Sequence, residues 1–151
     1  MTQAWVSRFP RPVEEVYACF SDPRRLKDFT PPFLRLELLA APRGPLVPGM
    51  LVDYRLTWHG IPFQWRTRIE EVEPNRRFVD AQLSGPYRRF VHTHEFYAVE
   101  GGTLMVDRLE WQLHLEPLSG PVNALVVRPS LDEVFRFRAA QAERTLGPAT
   151  K

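Results

Sequence analysis

His92-Thr93-His94 sets two imidazoles two residues apart, with Asp80 and Asp107 in neighbouring stretches that also alternate apolar and polar residues. Residues two apart on a strand share a face, so these four groups can act together. A desolvated aspartate–histidine pair can bring a proton affinity near neutrality. That would serve a cyclisation, dehydration or isomerisation. The same pair also satisfies a buried carboxylate by hydrogen bonding alone, and the residues leave both readings open. His92, His94, Asp80 and Asp107 are therefore the catalytic candidates.

Two histidines facing one way, completed by Asp80 or Asp107, also resemble the start of a transition-metal site. A cupin would add a glutamate after three or four intervening residues beyond the second histidine, but Ala98 and Val99 occupy those places and Glu100 comes one too late. His114 has the outward parity of its strand and His59 lies in a turn, so no metal is expected. There is no Gly-x-Ser-x-Gly elbow, phosphate-binding glycine loop or dinucleotide fingerprint, and no cofactor is expected. Cys19, the single cysteine, sits in Val16-Tyr17-Ala18-Cys19-Phe20 and reads as a buried inert thiol.

The elements that must position these groups follow from periodicity. Trp5, Ser7 and Phe9 alternate up to Pro10, which fits an opening strand. Pro12, Glu14 and Glu15 start a helix whose apolar residues are Val13, Val16, Tyr17 and Phe20. Asp22 and Pro23 start a second short helix over Arg24 to Asp28. From Phe33 the period becomes two: Leu34, Leu36 and Leu38 share one side of a strand. Met50 to Trp58, Pro62 to Val72, Arg77 to Leu83, Arg88 to Val99 and Thr103 to Leu115 repeat the pattern between short turns, as in an antiparallel meander. Val127, Leu131, Phe135, Ala139, Ala142 and Leu146 form the stripe of a long helix over Val122 to Leu146, with a bend expected at Pro129.

That stripe must be buried, and a curved antiparallel sheet is the partner available. The fold class is α+β, with about seven strands wrapped around the C-terminal helix and two short helices after the first strand. Parity turns Tyr54, Leu56, Trp58, Trp65, Thr67, Phe90, His92, His94, Phe96, Asp107, Leu109 and Trp111 inward. Arg77 to Leu83 is ambiguous, because Phe78, Asp80 and Gln82 alternate with the equally apolar Val79, Ala81 and Leu83. A hairpin at Gly85-Pro86 puts Asp80 opposite His92, and one at Gly101-Gly102 puts Phe96 opposite Asp107.

Residues 1–151 are expected to form one domain, since 151 residues with 44% hydrophobic and 25% charged content suit a single core. The pI is about 9.0, but the net charge is only +2 and arginine pairs are scattered among acids. No nucleic-acid partner is expected. No stretch has the length and apolarity of a membrane span, and a cytoplasmic location is expected.

The order strand, two short helices, six-stranded meander and long helix is similar to the START/Bet v1-like helix-grip superfamily, or SRPBCC, which includes polyketide cyclase/dehydrase and coenzyme Q-binding members. More specific is a resemblance to its bacterial ligand-binding group. It is carried by Ser21-Asp22-Pro23, Leu26, Thr30-Pro31-Pro32-Phe33, Gly49, Asp53-Tyr54-Arg55-Leu56, Gly60 and Trp65-Arg66-Thr67. Arg77-Phe78-Val79-Asp80, Gln82, Gly85-Pro86-Tyr87 and His92-Thr93-His94-x-Phe96 continue it.

The resemblance implies a hydrophobic cavity between sheet and helix, used across the superfamily for lipids, sterols, polyketides and quinones. The function expected is carriage or sensing of a small hydrophobic molecule. The candidate ligand-binding residues are Tyr54, Leu56, Trp58, Trp65, Thr67, Asp80, Gln82, Phe90, His92, His94, Phe96, Asp107, Leu109, Trp111 and Phe135. Entrances are expected near Gly60-Ile61-Pro62, Thr30-Pro31-Pro32 and Pro121-Val122. Two alternatives stand beside this: a cyclase/dehydratase-type enzyme using the His/Asp cluster, and a protein-interaction module with an apolar patch around Phe137. The chain is expected to be a monomer or homodimer.

Overall fold

Trp5, Ser7 and Phe9 belong to β1 (Thr2–Phe9) in the computed structural model, which describes residues 1–115 and 118–147. Helix α1 (Val13–Phe20) follows Pro10 and buries Val16 and Cys19, with Glu14 and Glu15 at its positive end. The Asp22 carboxylate accepts the Arg24 backbone N–H at 3.0 Å. The helix it starts, Pro23–Phe29, is wound as a 3₁₀ helix rather than an α-helix.

The strand expected from Phe33 begins later. Pro32–Leu34 is a 3₁₀ turn, closed by Arg35 in the left-handed region at φ 46°. Consecutive prolines at 31 and 32 remove two backbone donors and favour that turn over a ladder. Leu36 is buried beyond it, and β2 (Glu37–Ala40) is short.

The remaining strands are β3 (Leu51–Trp58), β4 (Ile61–Glu73), β5 (Arg77–Ser84), β6 (Arg89–Val99) and β7 (Gly102–Gln112). They form one antiparallel sheet in the order β1-β7-β6-β5-β4-β3-β2. The parity of β5 resolves toward Phe78 and Asp80 on the inner face, aided by register shifts in its pairing with β4 near residues 66–67 and 69–71. Asp80 pairs with His92, as the Gly85-Pro86 hairpin predicts.

The β6–β7 register differs from expectation by two residues: Asp107 lies opposite His94, and Phe96 opposite Met105. The cause is Gly102, which is a strand residue rather than half of the turn. A Cβ there would come within 1.9 Å of the Phe9 carbonyl oxygen, so β1 and β7 meet closely enough to admit only glycine.

The C-terminal helix begins as α2 (Gly120–Val122), continues as a π-helix over Asn123–Val127, and becomes α3 (Arg128–Leu146). The irregularity expected from Pro129 is this π segment just before it; proline has no N–H for the α pattern. Asn123 is anchored there by the Trp111 indole, whose Nε1 donates to Asn123 Oδ1 at 2.9 Å. Two apolar clusters hold the layers together. One gathers Phe9, Val16, Met105, Ala142 and Leu146 under α1, and the other packs Leu109 and Trp111 against Leu131 and Phe135.

Candidate functional site

Asp80 on β5, His92 and His94 on β6, Asp107 on β7 and Arg138 on α3 meet on the inner face of the sheet. His92 Nε2 donates to Asp107 Oδ1 at 2.8 Å, and His94 Nε2 donates to Asp80 Oδ2 at 2.7 Å. His94 Nδ1 lies 3.3 Å from Asp107 Oδ1, and an Arg138 terminal nitrogen lies 4.0 Å from the same oxygen. The imidazoles stack with centroids 3.7 Å apart. Arg138 lies 4.9 Å from the Phe20 ring centroid and 5.9 Å from that of Phe135.

This geometry distributes the protons. His94 Nε2 bonds Asp80 and its Nδ1 lies near Asp107 without a hydrogen bond, so both carboxylates favour a positive charge on His94. Burial opposes its charge, but the contacts with Asp107 and Asp80 override that and raise its proton affinity. Burial and the adjacent His94 charge lower the affinity of His92 despite its bond to Asp107. Burial would also raise the Asp107 carboxyl, yet Arg138 and the two histidines hold it well below the usual carboxylate range. Asp80 is likewise held low against its burial, by His94, His92 and Arg138. Two carboxylates thus meet the Arg138 guanidinium and the His94 ring, whose positive charge they favour, while the charged form of His92 is disfavoured.

Above the cluster a cavity of about 390 Å³ lies between sheet and C-terminal helix. Of the expected residues, Tyr54, Leu56, Trp58, Trp65, Thr67, Phe90 and Phe135 line it, together with Asp80, His92 and His94. Trp65 meets Phe90 edge to face at 4.9 Å and stacks near Tyr54 at 6.0 Å. The Tyr54 hydroxyl is paired with Thr67 at 3.2 Å, and burial pushes the Tyr87 phenol up to about 12. Thr30, Phe33 and Leu34 also line the cavity, as do Trp58 and Phe63 on either side of Gly60-Ile61-Pro62, and Val127 and Ser130 near the helix start.

Five expected residues sit elsewhere. Leu109 and Trp111 face inward but are covered by Leu131 and Phe135. Phe96 packs edge to face on Tyr17 at 5.2 Å, under α1. The Gln82 amide spans the hairpin, accepting the Tyr87 N–H at 3.0 Å and donating to the Tyr87 carbonyl at 2.7 Å. Asp107 faces a second cavity of about 220 Å³ between β1 and α3, with Trp5, Asp132 and Arg136 in its wall. Phe20, Phe135 and Arg138 line both cavities and form the partition between them.

Arg138 is the residue the periodicity argument passed over. A signal was present: Leu131, Phe135, Arg138 and Ala142 are spaced by four, three and four, which places the arginine on the buried stripe. Phe137 is only half-buried and is not among the strongly exposed apolar side chains. Cys19 is buried, and burial raises its thiol against the opposing charges of Arg25 and Arg138.

Asp80, His92 and His94 offer ligand atoms within 4.8 Å of one another. Asp80 and His94 already bond each other, and a metal ion there would have to break that bond beside the Arg138 cation.

Residues 9–135 match the family model described as polyketide cyclase / dehydrase and lipid transport, and the chain belongs to this family within the START/Bet v1-like superfamily. The structure has the fold of TTHA0849 from Thermus thermophilus, with TM-score 0.73, 20% identity, and 96% and 99% of the two chains covered. Protein Ms6760 from Mycobacterium smegmatis matches at TM-score 0.70 and 20% identity over 96% of this chain and 90% of that one. Ara h 8.0201 matches at 0.64 and 13% over 95% and 98%. A comparison with curated proteins finds no significant match. Family and helix-grip fold together support a ligand-binding role, and among the described residues no helix is long and apolar enough to cross a membrane.

Proposed function

We propose that the protein carries or senses a small hydrophobic molecule, a lipid, quinone or polyketide, held between the sheet and the C-terminal helix. The observation that carries this reading is the cavity of about 390 Å³, walled mainly by aromatic and aliphatic side chains and bordered by the His/Asp cluster at one side. Its volume lies within the usual range for small-molecule sites. Burying about 300 Å² of apolar ligand surface contributes roughly 7 kcal/mol before association costs, so affinity can come from area while the cluster orients the ligand.

The test is organic extraction of purified protein followed by mass spectrometry, with Leu56→Trp as the blocked control. A stoichiometric hydrophobic compound present in the native protein and missing from the folded variant supports the reading. An empty protein that gains no thermal stability from such compounds removes it.

A second reading is favoured by one observation, the direct hydrogen bonds between carboxylate and imidazole on the cavity wall. They suit a cyclase or dehydratase moving a proton on a polyketide-like substrate. His92→Gln that abolishes turnover of such a substrate while leaving its retention unchanged favours the enzyme. Equal loss of both favours the carrier.

A further inference from the structure

His94 is held between Asp80 and Asp107 with a nitrogen toward each, Nε2 bonded to Asp80 at 2.7 Å and Nδ1 lying 3.3 Å from Asp107 without a hydrogen bond, so the two carboxylates favour a positive charge on this ring. His92 stacks on that ring at 3.7 Å, where a second positive charge would be repelled. It gives Nε2–H to Asp107 at 2.8 Å. A neutral imidazole that donates from Nε2 has a lone pair on Nδ1.

Among the described residues Nδ1 of His92 makes no hydrogen bond. Unlike Nδ1 of His94, it is not one of the unpartnered polar atoms sealed in the protein. His92 lines the large cavity, and so does its cross-strand partner Asp80, whose Oδ1 is also unbonded and unsealed. The polar side of the cavity therefore offers two acceptors. Arg138, the cation nearest them, also lines this cavity and lies 4.0 Å from Asp107.

We propose that the cavity selects an uncharged ligand bearing a hydroxyl donor, a phenol, enol or alcohol, whose O–H is accepted by Nδ1 of His92 beside Asp80. This rests on the cavity-binding reading and adds to it the identity of the specificity residue and the chemistry it demands. A ligand whose oxygen is etherified leaves the acceptors unpaired in a desolvated site. A carboxylate adds an anion to a cluster whose two carboxylates are already balanced by His94 and Arg138.

The probes are 2-naphthol, 2-methoxynaphthalene and 2-naphthoate, compared on the wild-type protein at pH 7.5 by titration calorimetry and by ¹⁵N NMR of the histidine rings. Using the wild type avoids any variant that fails to fold. The groups facing His92 are Asp80 on β5, His94 on β6, Asp107 on β7 and Arg138 on α3, with Cys19, Asp22, Tyr54 and Tyr87 elsewhere on the cavity wall. Only the two imidazoles among these give ring-nitrogen resonances in that experiment.

Naphthol is expected to bind about tenfold more tightly than its methyl ether, the worth of one well-made hydrogen bond. Only naphthol should move the Nδ1 resonance of His92, starting from an unprotonated position. Equal binding of naphthol and ether overturns the hydroxyl selection while leaving the cavity reading intact. Tighter binding of naphthoate overturns it in favour of an Arg138-led anion site. A protonated Nδ1 in the free protein overturns it directly, and binding of none of the three removes the cavity reading as well.

Discussion

His92 and His94 are stacked neighbours on one strand, yet each bonds a carboxylate diagonal to it: His92 reaches Asp107, which lies opposite His94, and His94 reaches Asp80, which lies opposite His92. The crossed pattern ties β5, β6 and β7 together through side chains, so no member can be removed without leaving a buried partner unpaired.

Asp107→Asn tests this. It leaves His94 and Arg138 with one carboxylate between them, and breaking a buried ionic network costs about 3–5 kcal/mol. Urea unfolding should show that loss, whereas Asp53→Asn, at the solvent-facing pair with Arg66 (2.8 Å), should leave the midpoint nearly unchanged. Similar midpoints for both variants would show the buried network to be energetically unimportant.

Stability should fall on both sides of neutrality. For His92 the folded proton affinity is below the unfolded one, so stability is lost as pH drops below about 6.5, where only the unfolded chain takes the proton. Asp80 and Asp107, held low in the fold, add a second loss as pH falls below about 3.9. His94 acts in reverse: its contribution is complete below about 6.5 and disappears as pH rises through its raised folded value. Thermal melts from pH 3 to 9 together with histidine NMR titrations check this, and His92 titrating above His94 would contradict it.

Arg138→Ala removes the charged part of the partition between the two cavities and the cation beside Asp107. A stability loss of about 3 kcal/mol is expected. A crystal structure of the variant should show one joined cavity in place of two, and two separate cavities would disprove the partition.

Gly102→Ala drives a Cβ into the Phe9 carbonyl. Displacement of β1 from β7 should cost more than about 2 kcal/mol. Amide exchange should rise over Thr2–Phe9 first, and unchanged protection there would mean the added Cβ is accommodated without parting the strands.

The alternating stretches around Tyr54, Trp65, Phe90 and Leu109 carried most of the sheet and its inner face, and the Leu131/Phe135 stripe carried the helix that covers it. The Asp80–His92 pairing was also legible, because the Gly85-Pro86 turn fixes it. Three things were not. Periodicity is blind to a backbone clash between distant strands, and so the extended Gly102, with the two-residue shift it imposes, was hidden. A charged residue on an apolar stripe is read as solvent-facing by default, which concealed Arg138. Inward parity does not say whether a side chain meets empty space or another element, and Leu109 and Trp111 meet the helix.

The π segment at Asn123–Val127 holds one more residue per turn than the helix that follows it. Relaxing it to α geometry would rotate everything before it by roughly 100° about the helix axis. Asn123 would then swing away from the Trp111 indole that it now accepts at 2.9 Å. That bond, together with the missing N–H of Pro129, works as a ratchet pawl. It keeps a stored residue of slack from being taken up at the end of the helix where Val127 and Ser130 wall the ligand space.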